Sequence, residues 1–212
     1  MADKVELANL ALQEMGAEPI TSLTEDSKTA RVMNLRLDPL LDSFLRSHPW
    51  NFAKDRARLS KLVEEPAFGF QFAYALPSDW VRTLHVVTDG NNLPEQQVTE
   101  PHYKIEGRRL LANHEEVFLI YIRRVVNTEE WDPLALDAFV LMLASRTARA
   151  ITQNLDLAQS LANDFRTKLQ EARHTDATDE PAQRIESDEW LVSRFDGGAT
   201  RPFGFRGIDT EG

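Results

Sequence analysis

The chain has 212 residues, of which 42% are hydrophobic, so it suits one large domain or one core with an inserted subdomain. It has no cysteine, which excludes disulfide bonds, thiolate zinc sites and cysteine nucleophiles. A formal net charge of −10 disfavours sequence-independent binding to nucleic acid, because that binding neutralises phosphates with lysine and arginine.

The sequence gives no sign of a membrane segment. The uninterrupted apolar runs, such as 117–122, are far shorter than the roughly 20 residues of a membrane helix. Glu6, Asn9 and Gln13 interrupt the N-terminal apolar pattern, which argues against a signal peptide. We therefore expect a soluble protein that assembles inside a cell.

Two helical patterns occupy the start of the chain. The first spans 5–15 and is expected to end at Gly16. The second runs from the cap-rich segment 24–27 to about Ser47, with its apolar residues on one face. Pro39 lies inside the second pattern and lacks a backbone donor, so we expect it to kink the helix or divide it in two.

The period of the pattern then changes from 3.6 to 2, which indicates strands. Strands are predicted at 53–62, 70–74, 80–88 and 117–126, with shorter ones near 93–98 and 102–106 and turns at 89–92 and Gly107. Residues 50–127 are therefore expected to form an antiparallel β subdomain.

The strongest helical patterns lie between residues 131 and 173. Asp132 is a plausible N-cap, and Pro133 suits the first helical position. The break at 153–154 is short, which makes the two helices antiparallel neighbours. The predicted fold is α+β, an antiparallel helical bundle with an inserted β subdomain and an extended C-terminal tail. Its segments are the N-terminal helices 1–49, the subdomain 50–127, the C-terminal helices 128–175 and the tail 176–212.

The C-terminal tail is acidic overall, yet it carries several large apolar residues: Trp190, Leu191, Val192, Phe195, Phe203 and Phe205. A purely solvated tail rarely needs so many. We interpret it as an extended segment that becomes ordered against another surface, its own or a partner's.

A search for catalytic motifs finds almost none. The chain lacks a glycine-rich phosphate loop and the G-x-S-x-G motif. The segment 114–118 begins like a zinc-protease motif, but Phe118 stands where the second histidine is needed, and the five histidines lack metal-ligand spacing. We therefore predict no catalytic, cofactor-binding or metal-binding residues.

Two pairs of carboxylates are candidates, by residue type only, for glycoside hydrolysis, which needs two acids flanking one bond. The pairs are Glu115 with Glu116 and Glu129 with Glu130. Adjacent residues on a strand point to opposite faces, so neither pair is expected to flank one bond. Solvated turn residues are the favoured interpretation.

Lys54, Arg56 and Arg58 form the best basic feature, since all three share one face of a predicted strand, about 7 Å apart. A solvated sheet face is the favoured interpretation, ahead of a partner contact and of a DNA contact. Three tryptophans, Trp50, Trp80 and Trp131, are expected to seal the junction between helices and sheet.

Several segments resemble the tail tubular protein A family of podoviruses, the short-tailed bacteriophages. The most specific are HPWNFAKDRARL at 48–59 and FAYALPSDWVRTLHV at 72–86. The other similar segments are ALQEMGAEPITSLTEDS at 11–27, YKIEGRRLLAN at 103–113, YIRRV at 121–125 and DPLALDAFVLMLASRTARAIT at 132–152.

The resemblance implies a non-enzymatic virion protein, a head-to-tail adaptor or gatekeeper. It implies a ring of twelve copies between the portal protein and the tail nozzle (tail tubular protein B), with DNA passing through the lumen. The β subdomain would face the nozzle or the tail fibres, with contacts from Lys54, Arg56, Arg58 or the loops around 89–101. Portal contacts would come from the tail, through Trp190, Phe195, Phe203 and Phe205. No cofactor is implied.

Two other functions stay open. One is a tail-associated polysaccharide or peptidoglycan hydrolase, which rests only on the supply of carboxylates. The other is a cytoplasmic assembly chaperone that is absent from the finished particle.

Overall fold

The structure is a computed structural model that describes residues 2–88 and 102–179. The described residues are a mixed α+β fold, with four α-helices and two antiparallel sheets, within the compact unit Met1–Asp179. The turn predicted at 89–92 and the strand predicted near 93–98 lie outside the described residues. In the part of the chain that is described, no helix has the length and apolar content that crossing a membrane requires.

The helices are α1 (Ala2–Glu14), α2 (Lys28–Ser47), α3 (Pro133–Thr152) and α4 (Leu155–Thr178). Side-chain caps begin three of them. The hydroxyl of Ser27 accepts a hydrogen bond from the Ala30 amide, and Asp132 and Asn154 cap α3 and α4 in the same way. The predicted cap at Asp132 is confirmed. α3 packs against each of the other helices, and most closely against α4.

Pro39 does not divide α2, so that part of the prediction is wrong. The helix continues from Lys28 to Ser47 with Pro39 on its exposed side. Leu37 and Leu41 flank the proline and are only 1% and 0% exposed. Their packing holds the helix together across the missing backbone hydrogen bond, because most helical stability in proteins comes from a buried apolar face.

α4 extends beyond the predicted boundary at 175. It ends at Thr178, where the amide of Asp179 donates to the carbonyl of Thr175 at 3.2 Å. The last turn is held because Asp176, the first residue of the predicted tail, belongs to α4 and is buried against the end of α2.

The strands form two antiparallel sheets rather than one continuous sheet. They are β1 (Lys54–Arg58), β2 (Ser60–Lys61), β3 (Phe72–Ala75), β4 (Trp80–Val87), β5 (Tyr103–Glu106), β6 (Arg109–Ala112) and β7 (Phe118–Arg123). The three-stranded sheet has the order β1-β7-β4, and the four-stranded sheet has the order β2-β3-β6-β5. The chain passes from one sheet to the other at Leu59, which is buried.

Two apolar cores lie on the two sides of the three-stranded sheet. The helical core includes Ile122 of β7 together with residues from all four helices. The second core lies between the sheets and takes Leu119 and Tyr121 from β7, with Tyr74 and Leu110 from the four-stranded sheet. The three-stranded sheet therefore stands between the helices and the four-stranded sheet.

Candidate interaction surfaces

An aromatic cluster joins the helices to the start of the β region. Trp50 is fully buried and stacks on Phe44 with ring centroids 4.9 Å apart, and its indole donates to the Phe44 carbonyl at 3.2 Å. Trp131 packs on Phe52 at 4.9 Å and on Phe139 at 5.4 Å. Such ring pairs add to the free energy of burial, so this cluster fixes the corner where α2 ends.

Trp80 does not seal the junction between helices and sheet, so that prediction is wrong. It packs against the core between the two sheets, and its indole donates to the hydroxyl of Thr83 at 3.0 Å. The guanidinium of Arg108 stands 6.0 Å from its ring centroid. Because β4 begins at Trp80 beside the second core, the side chain seals the two sheets rather than the helices.

The end of α4 is bound to the end of α2 through one buried carboxylate. Asp176 accepts hydrogen bonds from the Asn51 amide and from His48 Nε2, both at 2.9 Å. The side-chain amide of Asn51 donates to the Asp176 carbonyl at 2.6 Å. One turn earlier, Arg173 donates to the carbonyl and the hydroxyl of Ser47. These bonds give His48 and Asn51, in the HPWNFA segment, a structural role.

A groove with a volume of about 1370 Å³ runs along α1. Its walls are α1, the loop from Gly16 to Thr24, Asn34 of α2 and Val126. Its apolar lining comes from Val5, Leu10, Ala17, Pro19, Leu23 and Val126. The volume exceeds the roughly 300–1,000 Å³ of ordinary small-molecule pockets, so the groove suits a protein segment better than a small substrate.

Hydrogen bonds fix the loop that forms one wall of this groove. The amide group of Asn9 bonds both the amide and the carbonyl of Ile20, at 2.8 and 3.0 Å. The carboxylate of Glu25 accepts from the amide and hydroxyl of Thr21, both at 2.9 Å, and from Ser27. These bonds, led by that from the Thr21 amide, lower the pKa of Glu25. The groove is therefore preformed.

The three-stranded sheet puts the basic row on one face, since Lys54, Arg56 and Arg58 alternate along β1 and lie opposite Ile122, Ile120 and Phe118 of β7. Arg58 is bound to the carboxylate of Glu116 and lies over the ring of Phe118. Arg56 is exposed, and its guanidinium bonds no described residue, whereas Lys54 is half-buried. The row thus offers less free positive charge than the sequence indicates.

The two carboxylate pairs lie outside the strands, so the alternation of side chains along a strand does not decide which way they point. Glu115 and Glu116 precede β7, and Glu129 and Glu130 belong to the 3-10 turn Thr128–Glu130. Glu130 is bound to Arg123, which lowers the pKa of that carboxyl. Both Glu116 and Glu130 therefore serve in exposed ion pairs.

No group of three or more metal-ligating side chains occurs within residues 2–88 and 102–179. Among the described residues, His48 and Asp176 resemble a catalytic pair, because His48 Nε2 lies 2.9 Å from the Asp176 carboxylate. The second carboxylate oxygen of Asp176 is taken by the Asn51 amide. The hydrogen bonds of Asp176 therefore explain the pair as a structural contact that anchors α4 to the end of α2.

Sequence reasoning missed the groove and the buried Asp176. The sequence did contain a signal for the groove, because α1 carries the apolar residues Val5 and Leu10 outside its buried stripe. A helix that is apolar on more than one side needs more than one packing partner. The sequence contained no signal for the burial of Asp176, because its partners His48 and Asn51 are more than 120 residues away.

The proposed portal contacts Trp190, Phe195, Phe203 and Phe205, and the loops around 89–101, lie outside the described residues. Neither the known protein-family models nor the curated protein sequences contain a match to this chain.

Proposed function

We propose that the chain is a bacteriophage virion structural protein of the tail tubular protein A type. In this role it is a head-to-tail adaptor, and its copies form a ring between the portal and the tail nozzle. The observation that carries the proposal is the preformed groove along α1, whose size and apolar lining suit a protein segment. The similarity of HPWNFAKDRARL and FAYALPSDWVRTLHV to that family supports the same role.

The helices would form an antiparallel bundle that is the body of the ring. A ring with rotational symmetry joins two different faces of neighbouring copies. The groove along α1 supplies one such face, and the polar outer side of α4 supplies a different one. The β subdomain, with Lys54, Arg56 and Arg58, would face the nozzle or fibres.

The extended C-terminal tail would bind the portal. Its aromatic residues Trp190, Phe195, Phe203 and Phe205 are of the kind that dominates binding energy when it is inserted into a partner's pockets. The net charge of −10 suits a channel through which DNA passes without being retained.

Light scattering of the chain mixed with its portal tests this proposal. We expect a complex carrying a ring of chains, with a mass far above 24.1 kDa. The variant Trp190→Ala/Phe203→Ala should lose portal binding while its thermal unfolding stays unchanged. If the chain remains a free 24.1 kDa species in the presence of portal, the result counts against the adaptor role. Mass spectrometry of purified virions separates the adaptor from an assembly chaperone, because only the adaptor stays in the particle.

A further inference from the structure

We draw no further inference here: the strongest candidate, the apolar groove along α1 that is lined by Val5, Leu10, Ala17, Leu23 and Val126, already belongs to the proposed function, and nothing in the described residues shows what covers it.

Discussion

At the scale of single residues, the most consequential side chain is the carboxylate of Asp176. It is 6% exposed, and both of its oxygens accept hydrogen bonds. A buried carboxylate is costly unless it is satisfied, and the groups that satisfy this one come from the distant end of α2. One residue therefore fixes the last turn of α4 against the end of α2.

Replacing Asp176 by alanine should lower the free energy of unfolding by about 2–4 kcal/mol. The variant leaves the Asn51 amide and His48 without their acceptor, and hydrogen bonds to charged groups are worth about 1.5–3 kcal/mol each. Urea unfolding measures the change. The exposed Asp179→Ala is the control and should stay within about 0.5 kcal/mol of the wild type. Equal effects of the two substitutions contradict the anchoring role.

Glu25 should make stability depend on pH. Its pKa is lowered in the folded state, so its contribution is fully present above its unfolded pKa and is lost as pH falls through the folded pKa. Glu25→Gln should therefore be less stable than the wild type at neutral pH, and the difference should vanish in acid. Urea unfolding at neutral pH and at a series of acidic pH values measures this difference. The exposed Glu18→Gln is the control and should change the free energy of unfolding by less than about 0.5 kcal/mol.

At the scale of elements, α2 shows packing prevailing over local preference. Pro39 cannot donate to the carbonyl of Leu35, yet the helix continues because its buried face is continuous. Pro39→Ala should raise the free energy of unfolding by about 1–2 kcal/mol, since the restored hydrogen bond outweighs the added freedom of the unfolded chain. Chemical denaturation measures this. The exposed Ser43→Ala in the same helix should change stability by less than about 0.5 kcal/mol, and a destabilising Pro39→Ala would contradict the argument.

The helices could be predicted from the sequence because their signals are local. A cap such as Asp132 and the apolar spacing behind it lie within a few residues of each other. Strand pairing could not be predicted from the sequence. Alternation of apolar and polar residues predicts that 53–62 is extended, but it does not say which strand lies beside it. The switch of sheets at Leu59 and the burial of Asp176 both depend on residues far away in sequence. The four aromatic portal residues stay a prediction.

At the scale of the whole molecule, the two cores share one sheet, so helices and strands should unfold together. Ile122 is fully buried in the helical core, while its neighbour Tyr121 faces the other core. Ile122→Ala should lower the free energy of unfolding by about 2–5 kcal/mol. Far-UV circular dichroism and tryptophan fluorescence should report one coincident transition, before and after the substitution. Separate transitions would show that the β subdomain is independent.

The shared sheet also has a mechanical consequence. Tension applied at the loop between β2 and β3, residues 62–71, would travel through β3 and β6 and across the second core to β7, whose Ile122 is seated among the helices. This route passes through packed side chains and contains no flexible linker. Force applied at the loop therefore reaches the helices without first extending an unstructured segment. This stiffness suits the proposed adaptor role.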